Sequence, residues 1–317
     1  MLEIYTSRYN TLVEKTMFDM AIKSFENGGE SYLFVPEQYT LQNEINLMNR
    51  IQKNAVSGIR IMSFQRLALE TLSKLGGLKR TYIDNLGKTM VLKNILYKGN
   101  LSLYSGSINK EGFVQSVLNQ IAELKRTMIT PHMLLELAEK TQDHGMLAQK
   151  LKELAYIYEE MELVLNGQYV DNEDRLGQLS ELKDMNHLKD TEIFIYGFLD
   201  FTAIELEIIK NLVTSGVKVH IGLCLDEDSS ENMDETVFFT TQKTKYQLEK
   251  AVREGGAPLS LHKIPGHYEG QRENLRLLGE NLFKTIPGSF DAEPKGLEIY
   301  GAHSSDEELH YIARDIA

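Results

Sequence analysis

Two short polar stretches carry residue types that bind nucleic acid. Gln38 and Thr40 follow the apolar run YLFVPE, while Ser63, Phe64 and Arg66 follow the apolar run IRIM. Glutamine and threonine can hydrogen-bond to base edges, phenylalanine can stack on a base, and arginine can pair with phosphate or guanine. Loops that follow the carboxyl ends of parallel strands open on one edge of a sheet. We therefore expect the two stretches to be neighbours in a nucleic-acid site.

These residues also have structural interpretations. Ser63 can cap a helix predicted over 64–75, Phe64 can belong to the core, and Gln38 can satisfy backbone groups in the turn after Pro36. Arg66 is the strongest candidate because it lies in a basic region.

Further candidates lie elsewhere in the chain. Lys79 and Arg80, beside Gly76 and Gly77, are candidate contacts to backbone phosphates, or they belong to a solvated loop. Phe198 and Phe201 are candidates for base stacking, although packing of a strand end onto the next helix is the more common role for such residues.

The charge distribution qualifies this interpretation. The net charge is -12, from 34 basic and 46 acidic residues, which argues against a surface that wraps nucleic acid. Residues 50–80, however, contain seven basic residues and one acid, a local charge of +6. The acidic run DEDSSENMDE at 226–235 predicts a solvated loop that repels phosphate.

Other kinds of site have little support. The single cysteine, Cys224, cannot form an internal disulfide or a thiolate cage, so a reducing cytoplasm is expected. The eight histidines lack metal-binding spacing, and no GxSxG motif is present. The start MLEIYTSRYN lacks the basic and apolar regions of a secretory signal, and no apolar run is long enough to span a membrane. We therefore expect a protein that is neither secreted nor membrane-spanning.

The elements that would position these residues form an α/β pattern. Short unbroken apolar runs at 2–5, 32–35 and 59–62 alternate with helical periodicity near 11–26 and 39–52. Unbroken runs are typical of parallel strands covered by helices on both faces. We therefore predict a parallel sheet in a βαβαβ order.

Later parts of the chain divide this sheet domain. Residues 82–190 lack strand patterns and carry apolar residues at helical spacing, from Phe113 to Met128 and from Leu147 to Met161, which predicts an all-helical insertion. Strand patterns return at 193–196 and 217–223, separated by a helix over 203–213. The sequence LEIY at 297–300, with a helix opened by Ser305 and Glu308, predicts a second α/β domain that is cut short at Ala317. The predicted divisions are 1–81 and 191–290 for the first domain, 82–190 for the insertion, and 291–317 for the start of the second domain.

These segments, in this order, resemble the N-terminal part of the AddB-type (RexB-like) subunit of bacterial AddAB helicase-nucleases. The resemblance covers essentially the whole chain, and it rests on VPEQYTLQNE (35–44), IRIMSFQRLALETL (59–72), YGFLDFTAIE (196–205) and LEIYGAHSSDEELHYIARDI (297–316).

The resemblance implies a P-loop-helicase-like (RecA-like) domain with a helical insertion and the beginning of a second such domain. It implies a role in double-strand-break repair, in a heterodimer with an AddA-type motor subunit that uses ATP. Single-stranded DNA and DNA ends are the implied partners, and the 3'-terminated strand would be guided and scanned for the sequence Chi. The family's nuclease, with its magnesium site and iron-sulfur cluster, lies C-terminal to the matched region, so no cofactor is expected in this chain.

The resemblance also implies residue roles. Gln38, Thr40, Phe64 and Arg66 match positions that contact single-stranded DNA. Leu69 departs from the family pattern, which often has an aromatic residue there, and this puts Chi specificity in doubt.

A phosphate-binding loop can be tested against the residues. Such a loop needs glycines after the first strand, then lysine and Ser/Thr. Here the strand continues into TSRYNTLVEKT (6–16), which has no glycine, and the aspartate often found after the later strand is replaced by Tyr196. We predict a degenerate nucleotide site, and the residues that would stand there are Ser7, Val13, Glu14, Lys15, Thr16 and Tyr196.

Three functional hypotheses follow. In the first, the chain guides single-stranded DNA without hydrolysing ATP and has no catalytic residue of its own. In the second, Lys15 and Thr16 serve a divergent but active nucleotide site. In the third, the chain is a scaffold whose helical insertion binds the motor subunit.

Overall fold

A computed structural model describes residues 1–51, 58–76, 80–110, 112–141, 145–166, 168–226, 237–266, 273–281, 288 and 297–316. The strands are β1 (Leu2–Ser7), β2 (Glu30–Phe34), β3 (Ile59–Met62), β4 (Thr81–Tyr82), β5 (Tyr169–Val170), β6 (Thr191–Ile195), β7 (Lys218–Cys224) and β8 (Leu259–Lys263). The helices are α1 (Asn10–Glu26), α2 (Thr40–Ile51), α3 (Phe64–Lys74), α4 (Asn85–Lys98), α5 (Phe113–Arg126), α6 (Pro131–Lys140), α7 (Gly145–Leu165), α8 (Asn172–Glu181), α9 (Ala203–Thr214), α10 (Phe239–Glu254), α11 (Glu273–Asn281) and α12 (Ser305–Ile316).

Six strands form one parallel sheet in the order β3-β2-β6-β7-β1-β8. The α/β class and the parallel sheet predicted from the sequence are therefore confirmed. Because every strand runs in the same direction, the segments that follow β1, β2, β3 and β6 all emerge at one edge, the carboxyl edge.

Helices cover both faces of the sheet. On one face, α1 and α2 pack through Met17, Phe18 and Leu47. On the other face, α3, α8, α9 and α10 share one large cluster of buried side chains with the strands. Burial on both faces explains why the strands are unbroken apolar runs.

The segment between α3 and β6 is mostly helical, but it is not all-helical as predicted. Its helices α4, α5, α6 and α7 surround their own buried cluster, which runs from Ile83 to Leu165. The strands β4 and β5, which lie directly before α4 and after α7, pair in a two-residue parallel ladder. Helix α8 falls within the predicted insertion, yet its Leu176 and Leu179 are buried in the sheet cluster. The buried clusters thus separate near residue 170.

A buried ion cluster joins α5 to the start of α8. Asp171 caps α8 in a capping box with Asp174, and Lys125 from α5 lies 2.6 Å from Asp174 and 3.7 Å from Asp171. Glu162 of α7 approaches the same ammonium group at 2.7 Å. Burial alone lowers the pKa of Lys125, but the three carboxylates reverse this and raise it well above its usual value. The ammonium group therefore stays charged inside the fold.

Two predictions about the C-terminal part are corrected. Residues 297–300 lie outside any strand, and Ile299 is fully exposed, because no neighbouring strand among the described residues pairs with them. Helix α12 is capped one residue earlier than predicted, since Ser304 Oγ accepts from the Glu307 N–H at 3.2 Å. The edge strand β8 was not predicted.

None of the helices within the described ranges is long and apolar enough to cross a membrane.

Candidate nucleic-acid interface

The connection from β1 to α1 is too short to wrap a phosphate. Strand β1 ends at Ser7 and α1 begins at Asn10, so only Arg8 and Tyr9 lie between them. Both residues carry side chains, and Arg8 forms an ion pair with Asp226 at 2.5 Å. A phosphate cradle requires several backbone N–H groups that converge on the ligand, usually at glycines. This connection has neither the length nor the glycines of such a cradle.

Two of the residues predicted for the degenerate nucleotide site, Ser7 and Val13, have structural roles. Ser7 is buried, and its Oγ accepts from the Tyr9 N–H at 3.2 Å. Val13 packs against Gly222, where a Cβ atom would lie 2.5 Å from Val13 Cγ1. Lys15 and Thr16 lie more than a turn into α1, and the Lys15 side chain is exposed.

Glu14 and Tyr196 lie near each other beneath the carboxyl edge. Glu14 forms an ion pair with Arg50 at 3.2 Å. Tyr196 is buried and donates a hydrogen bond to Asn43 Oδ1. Burial, and then the charge of Glu14, raise the pKa of Tyr196 well above its usual range. The neutral phenol cannot replace the carboxylate that holds magnesium in motor helicases.

The two polar stretches are neighbours, as their positions after adjacent strands predict. Arg66 donates from Nη2 to Thr40 Oγ1 at 3.3 Å and from Nη1 to Glu44 Oε1 at 2.9 Å. The loop after β6 joins them, because Pro36 Cδ lies 3.5 Å from the position that a Cβ atom of Gly197 would occupy. Three loops therefore meet at the carboxyl edge.

Several residues predicted as contacts at this edge have structural roles in the fold. Ser63 is buried and caps α3, because its Oγ accepts from the Arg66 N–H at 3.2 Å. Phe64 is only 3% exposed, and its ring lies 5.8 Å from Phe198 and 6.2 Å from Phe201. Phe201 is also buried, and Phe198 is half-buried against it. Phe64 and Phe201 have no exposed face on which a base could stack.

Of the DNA contacts predicted at this edge, Gln38 is exposed, and Arg66 and Phe198 are partly exposed. Gln38 lies in a short 3-10 turn, Glu37–Tyr39, and its side chain is exposed. Thr40 is buried, and its Oγ1 donates to the Glu37 carbonyl at 3.0 Å and accepts from Arg66.

Three arginines of the predicted basic region form ion pairs. Arg50 pairs with Glu14, Arg66 pairs with Glu44, and Arg60 pairs with Glu70, with Nη1 2.9 Å from Oε2. A charge count along the chain misses such partners when they come from other elements, as Glu14 and Glu44 do.

Arg80 lies away from the carboxyl edge. It lines a cleft of about 520 Å³ between α8 and the helices α4 to α7, here called the helical segment. The charged residues that line the cleft with it are Lys125, Glu162, Glu173, Asp174 and Glu181. This acidic lining does not favour phosphate. The predicted contact Lys79 lies outside the described residues.

The sequence analysis also missed residues that complete the site. Asn43 donates from Nδ2 to the Tyr39 carbonyl at 2.8 Å, and Glu44 restrains Arg66. Both belong to the stretch VPEQYTLQNE, and their spacing from Thr40 along α2 is the pattern that could have identified them. No cluster of acidic, histidine or cysteine side chains in the described part of the chain has the arrangement of a metal site.

Comparisons with known proteins agree on one relationship. A family model described as "ADDB, N-terminal" matches residues 14–278. The chain is 34% identical over 316 residues to the B-type subunit of the ATP-dependent helicase/deoxyribonuclease of Caldanaerobacter subterraneus subsp. tengcongensis, which covers 96% of this chain and 27% of the relative. It is 30% identical over 313 residues to the protein of the same name from Clostridium tetani, covering 94% of this chain and 27% of that relative. The chain thus spans about a quarter of the length of these relatives.

Proposed function

Because the chain belongs to the family of AddB N-terminal regions, we propose that it is a helicase-like, strand-guiding part of the AddB-type subunit of a helicase/deoxyribonuclease, and that it does not hydrolyse ATP. In this proposal the sheet domain is RecA-like and acts in DNA double-strand-break repair beside an AddA-type motor subunit. Magnesium and iron-sulfur chemistry belong to regions beyond the family match, and ATP is used by the motor.

The observation that carries the loss of ATP hydrolysis is the two-residue connection between β1 and α1. Arg8 and Tyr9 leave no loop to surround phosphates, and Lys15 lies on the exposed side of α1 rather than at its start. Tyr196, buried against Asn43, occupies the position where a magnesium-binding carboxylate would be needed. In this proposal the chain therefore has neither the phosphate-binding loop nor the magnesium-binding carboxylate of a nucleotide site.

Calorimetry with magnesium and a non-hydrolysable ATP analogue tests this part of the proposal. We expect no binding stronger than millimolar for the wild-type chain, and the same result for Lys15→Ala. Micromolar binding that is lost in Lys15→Ala would instead support the divergent nucleotide site.

The proposal of strand guiding is supported by the polar groups at the carboxyl edge. Gln38 is exposed there, and Arg66 is half-exposed and is bound by an ion pair with Glu44 and a hydrogen bond to Thr40. These side chains can contact a single strand by hydrogen bonding and charge. Leu69, on the same helix as Arg66, is exposed without an aromatic ring, so strong selectivity for Chi is not part of the proposal.

Fluorescence anisotropy of a labelled single strand across a salt series tests strand guiding. We expect Arg66→Ala to weaken binding by about 10-fold. The matched control is Arg253→Ala, because Arg253, like Arg66, forms an ion pair with a glutamate, in this case Glu249. Arg253 lies at the end of α10, which leads into the start of β8 and not into the carboxyl edge. Equal effects of the two substitutions would contradict binding at the carboxyl edge.

A scaffold is the second candidate function, and one observation favours it. Leu86, Met90 and Tyr97 are exposed at helical spacing on α4, an apolar face on the surface of the helical segment. If the chain acts as a scaffold, Met90→Glu would abolish co-purification with the motor subunit while strand binding is unchanged.

A further inference from the structure

Tyr39 is the most exposed aromatic side chain at the carboxyl edge. Among the described residues of the segments 35–40, 63–66 and 196–202, it has 53% of its area exposed, whereas Phe64 and Phe201 are buried. A base can stack only on a ring whose face is accessible. The stacking that the sequence assigned to phenylalanines is therefore available at a neighbouring tyrosine.

The backbone of Tyr39 is held firmly although its ring is in solvent. Its N–H donates to the Pro36 carbonyl at 2.9 Å, and its carbonyl accepts from Asn43 Nδ2 at 2.8 Å. The next residue, Thr40, accepts from Arg66. A ring on a fixed backbone loses little conformational entropy on binding, which is the property of a stacking platform.

The charges around Tyr39 favour contacts with bases over contacts with phosphates. Glu37 and Asp200 are exposed acids on the same loops, and the nearby cation, Arg66, is shared with Glu44. A strand whose phosphates pointed into this edge would meet net negative charge. A strand whose bases point inward would place them against Tyr39 and Gln38 instead.

We propose that Tyr39 is the residue on which a base of the bound single strand stacks. This inference rests on the proposed strand-guiding function and adds a contact that the sequence analysis did not assign. Stacking on one aromatic side chain contributes about 1–3 kcal/mol per base, which corresponds to roughly 5-fold to 150-fold in affinity.

Anisotropy with a short labelled oligothymidine strand measures this contribution. We expect Tyr39→Ala to weaken binding by at least about 5-fold and Tyr39→Phe to bind within about 2-fold of the wild type. Tyr39→Leu keeps apolar area without a π-face and should resemble Tyr39→Ala. Equal binding by the wild type and Tyr39→Ala would overturn the stacking contact while strand guiding survives.

A tryptophan reporter tests stacking directly. The chain has no tryptophan, so Tyr39→Trp introduces a single indole at the proposed contact. Its fluorescence should be quenched by oligothymidine but not by an abasic strand of equal length. The control is Tyr97→Trp, because Tyr97 is also exposed, at 62%, but lies on α4 of the helical segment.

The outcomes separate the two proposals. Quenching at position 39 alone supports the stacking contact. Equal quenching at both positions, or quenching by the abasic strand, would overturn it. Absence of strand binding by the wild-type chain would overturn strand guiding, and the stacking contact with it.

Discussion

Arg66 is restrained by three acceptors from the elements around it. Its guanidinium donates to Glu44 Oε1 at 2.9 Å, to the Ile61 carbonyl at 3.3 Å and to Thr40 Oγ1 at 3.3 Å. The pair with Glu44 is partly exposed, so it contributes little to stability. Its larger effect is on availability, because a guanidinium shared with a carboxylate is a weaker partner for phosphate or base.

Glu44→Gln should therefore tighten binding of single-stranded DNA. The substitution keeps the size of the side chain and removes the competing charge, so Arg66 becomes available to a phosphate. We expect the slope of log K against log salt to become steeper by about 0.7, as for one added phosphate contact on a single strand. Anisotropy across a salt series measures both quantities. Glu249→Gln, which releases Arg253 in the same way, is the control and should leave both unchanged.

Met128 is a strained residue at the end of α5. Its φ is +59°, and the backbone around it forms a Schellman motif, with Ile129 N–H donating to the Leu124 carbonyl at 2.8 Å and Met128 N–H to the Lys125 carbonyl at 2.9 Å. The sequence analysis placed Met128 within the helix because its apolar spacing fits. The left-handed conformation is normally occupied by glycine.

Met128→Gly should raise the free energy of unfolding by about 0.5–1 kcal/mol, because relief of the strain exceeds the greater entropy of glycine in the unfolded chain. Urea denaturation measures the change. The same substitution at Met90, an exposed position inside α4, should instead lower the free energy of unfolding by about 1 kcal/mol. A loss of stability in Met128→Gly would show that its side-chain contacts outweigh the strain.

At the scale of elements, the sequence predicts best where one pattern decides the structure. The strand β3 matches its predicted residues, and α1, α2 and α9 lie within a few residues of their predictions. Strand β8 was missed because LSLHK is short, polar at alternate positions and placed at the edge of the sheet, where it is only partly buried. Residues 297–300, which were predicted as a strand, have the same sequence, LEIY, as residues 2–5 of β1. They have no pairing neighbour among the described residues.

The candidate site was predicted at the level of loops rather than of side chains. Adjacent parallel strands bring Thr40 and Arg66 together, and this follows from strand order alone. Whether Phe64 faces solvent or the core depends on its ring contacts with Phe198 and Phe201, which come from a distant part of the sequence. Capping by Ser63 was one of two interpretations that the sequence could not separate.

The Glu153 carboxylate on helix α7 binds the loop before α5. Glu153 accepts hydrogen bonds from the backbone N–H groups of Ser102, Leu103 and Tyr104, and from Gln149 Nε2. Burial raises the pKa of Glu153, but these hydrogen bonds outweigh burial and lower it to about 2.

Glu153→Gln should destabilise the protein near neutral pH by about 2 kcal/mol, because a neutral amide is a weaker acceptor and its NH₂ group opposes the backbone donors. The stabilisation by ionised Glu153 is complete above its unfolded pKa near 4.5 and is lost as the pH falls toward 2. The difference between the variant and the wild type should therefore shrink below pH 4.5. Urea denaturation at several pH values measures this, and a difference that stays constant down to about pH 2.5 would contradict it.

At the scale of the whole molecule, two buried clusters meet at α8. The helical segment packs around its own cluster, which includes Leu92, and the sheet packs around another, which includes Leu212. Helix α8 belongs to the sheet cluster through Leu176 and Leu179, while its first turn is bound to α5 through Lys125. The link from α5 to the first turn of α8 is thus ionic.

An ionic junction predicts that the two parts open separately. Leu92 and Leu212 are both fully buried leucines, so Leu→Ala at either position should cost about 2–5 kcal/mol. In native-state hydrogen exchange, Leu92→Ala should reduce protection of amides in α4, α5 and α7 and leave β1, β6 and β7 unchanged, whereas Leu212→Ala should do the reverse. Loss of protection throughout the chain in both variants would show one cooperative unit. Separate responses would support the prediction that the helical segment is an insertion into the sheet domain, since an inserted unit with its own buried cluster can open while the strands on either side of it stay paired.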